Sequence, residues 1–180
     1  MIAAAIVCAA AFAQAASYGW TVQGMAYWND DASNYDELSG FNVYAFDANK
    51  YALATVVETL AGGDTSVLDN ALGYGTVDGF EYIGKGSGLE AVGSGDGSVA
   101  AFAILLGADN SGDQWFIAQD LGSTPVTAPV KEGGAIFGAD FTPATLPGGA
   151  DWTAVSVPEP TSGLLLLLGM AGLALRRRRA

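Results

Sequence analysis

The side chains of this chain that could do chemistry are mostly oxygen donors. Asp109-Asn110-Ser111-Gly112-Asp113 sets Asp109, Ser111 and Asp113 at alternate positions, as calcium loops do. Its glycine stands one place early for a helix–loop–helix calcium site, and no glutamate occupies the twelfth position, so a hairpin turn explains it better. Asn29, Asp30, Asp31, Asp36 and Glu37 form the other acidic cluster that calcium could use. A pair of carboxylates could also act as acid and base in glycan hydrolysis. Most aspartates here stand beside Gly, Asn or Ser, which is turn chemistry. The expectation is therefore no cofactor and no metal, with calcium as the alternative.

What is missing narrows the chemistry further. The chain has no histidine and one cysteine, Cys8. A Ser-His-Asp triad and an ordinary zinc site are excluded, and so is a cysteine nucleophile once the N-terminal segment is removed. Gly79-Phe80-Glu81-Tyr82-Ile83-Gly84-Lys85-Gly86 nearly matches a phosphate-binding loop, but Gly86 stands where Ser or Thr should hold magnesium, and the middle residues read as strand. Gly86-Ser87-Gly88-Leu89-Glu90-Ala91 mimics a dinucleotide fingerprint without a following helix. In a chain with 25 glycines such matches arise by chance. Trp20, Trp28, Trp115 and Trp152 could stack on sugars, although tryptophan usually serves the core.

The elements that would position these residues are mainly strands. Tyr18–Trp28 reads as one or two strands, with Tyr18, Trp20 and Val22 alternating and Gly24 marking a bulge. Phe41–Asp47 is a strand with Phe41, Val43 and Ala45 on one face. Lys50–Leu60 has helical spacing, is ended by Gly62-Gly63, and could be capped by Asp47 or Asn49. A second short helix fits Ser66–Leu72, with Asp64 or Thr65 as cap and Gly73 closing it. Asp78–Ile83 is a strand, and Gly84–Gly97 a loop or weak hairpin. Ser98–Leu106 and Gln114–Gln119 make a hairpin about the turn at Asp109–Gly112, with Trp115 and Ile117 on one face. Thr124–Val130 reads as an edge strand because of Pro125 and Pro129, followed by strands at Ala135–Phe137 and Trp152–Val157. This pattern predicts an antiparallel sandwich or roll with one or two short helices packed on it.

The ends of the chain concern transport. Ile2–Phe12 is apolar, and Ala13-Gln14-Ala15 supplies small residues at Ala13 and Ala15, so residues 1–15 read as a signal peptide cut by signal peptidase before Ala16. No Lys or Arg follows Met1, so either the N-terminal amine suffices or the true start lies upstream. Val7 stands where a lipidated cysteine needs a small residue, which argues against a lipoprotein at Cys8. The domain expected to be exported, residues 16–156, has three basic residues (Lys50, Lys85, Lys131) against eighteen acidic ones, a charge of −15. Such a surface repels nucleic acid and anionic lipid, and is ordinary for a soluble secreted protein.

Residues 157–180 have three parts. Val157-Pro158-Glu159-Pro160 is held extended by its prolines. Thr161–Leu175 is 15 uncharged residues, about 22 Å as a helix, which is short for a bilayer core of about 30 Å but able to cross it if the bilayer thins. Arg176, Arg177, Arg178 and Arg179 then hold the end on the cytoplasmic side. This order resembles the PEP-CTERM sorting signal of Gram-negative bacteria. The resemblance implies an exosortase-type membrane protease as partner, cutting near Pro158-Glu159-Pro160. It also implies anchoring in the inner membrane by a single transmembrane helix before processing, then release to the cell surface or extracellular matrix. The expected function is a surface or matrix protein with a structural or interaction role and no catalysis. The alternatives are a calcium- or polysaccharide-binding module and a carboxylate-dependent glycan hydrolase.

Overall fold

In the computed structural model, which describes residues 17–30, 38–90, 97–126 and 134–156, the most apolar segment becomes a central strand. The strands are β1 (Ser17–Met25), β2 (Asn42–Asp47), β3 (Gly73–Thr76), β4 (Glu81–Glu90), β5 (Gly97–Ala108), β6 (Gln114–Val126), β7 (Ala135–Gly138) and β8 (Thr153–Ala154). Among the described residues, one α-helix, α1, spans Leu53–Ala61, and a 3-10 helix spans Thr65–Asn70. The strands form a three-stranded sheet ordered β4-β1-β7 and a five-stranded sheet ordered β3-β2-β5-β6-β8.

The unbroken apolar run of β5 follows from its place in the middle layer, covered on both faces. Val99, Ala101, Ala103 and Leu105 point into a core shared with Tyr18, Trp20 and Val22 of β1, Tyr82 and Leu89 of β4, and Phe137 of β7. Phe102, Ile104 and Leu106 point the other way, toward Val56 and Leu60 of α1. β2 divides in the same manner, with Val43 and Ala45 facing the first core and Phe46 the second. Phe46 and Phe102 stack at 5.0 Å and 4°. The fold is thus a β-sandwich with a helix on the outer face of its larger sheet. Tyr82 Oη donates to the Ala139 carbonyl at 2.5 Å. Burial, and then the Asp140 carboxylate, push this hydroxyl well above its ordinary value, so it remains a neutral donor.

Several expectations are corrected. Pairing is antiparallel except between β1 and β7, which run parallel. Gly24 is not a bulge: a Cβ there would lie 2.1 Å from the Ala139 carbonyl oxygen, so the glycine permits close approach of the chain beside β7. The β1–β4 irregularity falls between Tyr18 and Gly19, where β4 accommodates Gly88 at φ 105°. Neither Asp47 nor Asn49 caps α1, whose N-cap is Ala52 without a side-chain bond. Asp64 caps the 3-10 helix, accepting from Ser66 N at 3.0 Å, while Gly73 opens β3 instead of closing a helix. Gly84–Glu90 is strand, and β6 runs on through Pro125 to Val126 instead of stopping at Gln119. The last strand is only Thr153–Ala154. The expected signal peptide, including Ala13 and Ala15, and the expected C-terminal helix lie outside the described residues. Among the described residues, no helix is long and apolar enough to cross a membrane.

Candidate functional site

The calcium-like loop is a turn that uses its own carboxylate. Asp109 Oδ1 accepts from Ser111 N at 2.8 Å and Asp113 N at 3.0 Å, and Oδ2 accepts from Trp115 Nε1 at 3.0 Å. Burial raises the Asp109 carboxyl, but hydrogen bonds from Trp115 and from backbone N–H groups of the turn outweigh it and hold it below the ordinary value. Asp109 is thus engaged by donors, while Ser111 and Asp113 contribute backbone N–H groups to it. Asp30 ends a short 3-10 turn, Trp28–Asp30, and Asp31 lies outside the described residues. Among the described residues, no group of three or more His, Cys, Asp or Glu side chains is placed to hold a metal ion.

Other aspartates repeat this local chemistry. Asp120 accepts from Gly122 N at 2.9 Å, where β6 bulges against β5. Asp140 accepts from Met25 N at 3.1 Å, and Asp151 from Thr145 N at 2.9 Å. Asp47 is fully buried and ties the ends of the two sheets together, accepting from Asn49 N at 2.9 Å and Glu90 N at 3.0 Å. Lys50 Nζ meets Glu90 Oε1 at 2.8 Å beside it, and this hydrogen bond is the largest cause of the raised Lys50 value.

The phosphate-loop mimic is also architectural. Glu81–Glu90 is a strand. A Cβ on Gly86 would lie 3.0 Å from Trp20 Cζ2, and one on Gly73 would lie 3.2 Å from the same ring. These glycines form a slot for the buried indole. The tryptophans serve mainly the fold. Trp20 and Trp152 are buried, and Trp115 is packed against the first core. Trp28 Nε1 donates to the Ala144 carbonyl at 3.2 Å.

Among the described residues, the exposed aromatic face belongs to a tyrosine. Tyr44 of β2 and Tyr74 of β3 are directly paired in register, with ring centroids 5.5 Å apart, and Tyr74 is 62% exposed. They line an open groove of about 420 Å³ between the larger sheet and the 3-10 helix. Thr65, Asp69 and Gln114 add polar groups to its rim, and Leu68 and Leu106 are apolar. Burial first, and then Tyr74, raise the Tyr44 hydroxyl, so Tyr44 stays neutral near pH 7. Sequence reading missed this groove because Tyr44 and Tyr74 meet only through the β2–β3 pairing. The available signal was Tyr44 itself, lying on the face of its strand opposite Val43 and Ala45.

The fold closes where the transport segment begins. Thr153 and Ala154 pair with Phe116 and Trp115 of β6. Val155 N donates to the Gln114 carbonyl at 2.9 Å, and its side chain enters the second core at 7% exposure. Ser156 N donates to the carbonyl of Ala61, the last residue of α1, at 3.3 Å. Val157, Pro158, Glu159, Pro160 and Arg176–Arg179 lie outside the described residues.

Comparison with curated proteins gave no match. Residues 156–179 do match the PEP-CTERM protein-sorting motif. The matched region contains Pro158-Glu159-Pro160, the apolar run and all four arginines, and starts on the residue hydrogen-bonded to Ala61. The chain therefore carries a PEP-CTERM protein-sorting motif, of the kind an exosortase recognises, with a β-rich domain directly ahead of it.

Proposed function

We propose that this protein is an exported passenger that an exosortase-type enzyme releases from its membrane-held tail, and that the β-sandwich then acts at the cell surface in a structural or binding role without catalysis. The observation that carries this reading is the sorting motif at residues 156–179. The short apolar run followed by four arginines suits temporary anchoring. The aspartates support a non-catalytic role, because Asp47, Asp109, Asp120, Asp140 and Asp151 are each bonded to backbone N–H groups. The test is the mass of the protein recovered from its host. A species beginning near Ala16 and ending near Pro158–Pro160 is expected. A mature species that still carries Arg176–Arg179, or processing that survives replacement of Pro158-Glu159-Pro160 by alanines, would overturn the reading.

A binding role for polysaccharide draws support from the tyrosine groove. Neutral aromatic faces stack on the C–H side of sugar rings, and neighbouring hydroxyl, amide and carboxylate groups accept and donate to their hydroxyls. Tyr74 supplies the face, with Thr65, Gln114 and Asp69 as the polar groups. In a glycan-array screen, a glycan retained by the wild-type protein should be lost with Tyr74→Ala and kept with Tyr74→Phe. Equal retention by Tyr74→Ala would remove the groove as the binding site.

A further inference from the structure

The sorting motif begins without a spacer. From Ser156, hydrogen-bonded to Ala61, to Glu159 is three residues, a reach of at most about 11 Å even when fully extended. A protease holds its substrate as an extended strand running several residues to either side of the cut bond. For a cut near Pro158–Pro160, the upstream part of that strand overlaps residues that the fold has already engaged. Thr153 and Ala154 lie on β6, Val155 is buried against the larger sheet, and Ser156 is bonded to the end of α1.

We infer that β8 with Val155 and Ser156 is a latch, and that the processing enzyme acts on the state in which this segment has left β6. The inference rests on the sorting reading above and adds a conformational step to it. β8 suits such a step because it is short. It contributes two paired residues at the edge of a sheet whose core strands do not depend on it, and terminal segments of this kind open at far lower free energy than the whole domain. When opening and closing are faster than cleavage, the cleavage rate follows the population of the open state. After the cut, the strand closes again on β6. The enzyme then loses its product, and the new C-terminus returns to the fold.

The test is the half-time for conversion of the full-length chain to its processed form, followed by pulse-chase in the native host. Inserting Gly-Ser-Gly-Ser between Ser156 and Val157 leaves every described residue unchanged and should shorten the half-time by about threefold or more. Val155→Ala, which loosens the latch, should also accelerate processing, by up to about tenfold. Thermal melting of the Val155→Ala protein checks that the domain still folds, and the insertion variant decides the matter if it does not. Unchanged half-times for the insertion variant, with Pro158-Glu159-Pro160→Ala still blocking processing, would overturn the latch while leaving the sorting reading in place. Continued processing after Pro158-Glu159-Pro160→Ala would overturn the sorting reading and the latch together.

Discussion

Gly107→Ala should be among the most damaging single-methyl additions in this protein. Gly107 lies on β5 opposite Trp115, and a Cβ there would stand 2.3 Å from both Cγ and Cδ2 of Phe41. Carbon atoms prefer about 3.5–4.0 Å, so the ring would have to retreat by more than about 1 Å. It has nowhere to go. Phe41 is buried edge-on against Trp152, at 5.7 Å and 71°, and Trp152 is held by its Nε1 bond to the Thr145 carbonyl at 2.7 Å. The Phe41 backbone is fixed as well, accepting from Val77 N at 2.8 Å. Overpacking of this kind costs about 1–3 kcal/mol, and the rigid surroundings place this site near about 3. For a domain of this size, that lowers the melting temperature by about 10 °C, measured by circular dichroism on the purified protein. Adding Phe41→Leu to Gly107→Ala should recover part of the loss, as a coupling energy of about 1–2 kcal/mol in a double-mutant cycle. A Gly107→Ala protein melting within about 2 °C of wild type would show that the ring is not wedged there.

Asp47→Ala should cost about 2–4 kcal/mol in denaturant unfolding, because the part-buried N–H groups of Asn49 and Glu90 lose the buried carboxylate that accepts from them; Asp47→Asn, which keeps one acceptor oxygen, should cost about half as much. Asp109 provides a pH test. Its carboxyl lies below the ordinary value in the fold, so its contribution is present above the unfolded value near 4 and lost as pH falls through the folded one. Asp109→Asn should therefore melt below wild type at pH 7, with the difference narrowing as pH falls toward 3. A constant difference would assign the effect to packing alone. Gly86→Ala should also destabilise, by about 1–3 kcal/mol in chemical unfolding, because its methyl meets the Trp20 ring at 3.0 Å.

Much of this architecture is legible locally. The β5 run has only one arrangement that buries both faces, a middle layer, and the alternation of Phe41, Val43 and Ala45 correctly assigns them to one face. The helix and its glycine end also follow from spacing, as Gly63 takes φ 88° just past α1. β4 is harder to read because glycines such as Gly84 and Gly86 look like loop. They are strand residues because the Trp20 side chain, some 65 positions earlier, lies across them. The parallel pairing of β7 with β1 and the meeting of Tyr44 with Tyr74 are long-range facts of the same kind. The sorting motif is fully legible because its signal is linear: prolines, an apolar run and arginines in order.

The near-matches to active-site motifs share one physical origin. Glycine permits close approach and positive φ, and aspartate accepts backbone N–H groups in turns. A sandwich built with many such positions therefore carries the residue types of nucleotide and calcium loops while using them for its own geometry. Gly86 makes room for an indole, Gly88 bulges β4, and Asp109 closes the β5–β6 turn onto Trp115. This shifts the search for function to groups that the fold leaves unused, the tyrosine face in the groove and the chain emerging at Ser156. The groove borders the 3-10 helix, and Ser156 meets the C-terminal end of α1. Gln114 lines the groove and holds Val155 with its carbonyl. A ligand in the groove that braces Gln114 would therefore also brace the last strand. If both sites act as proposed, adding that ligand should slow processing of the wild-type chain and leave the four-residue insertion variant unaffected, with equal slowing of both chains ruling out the link.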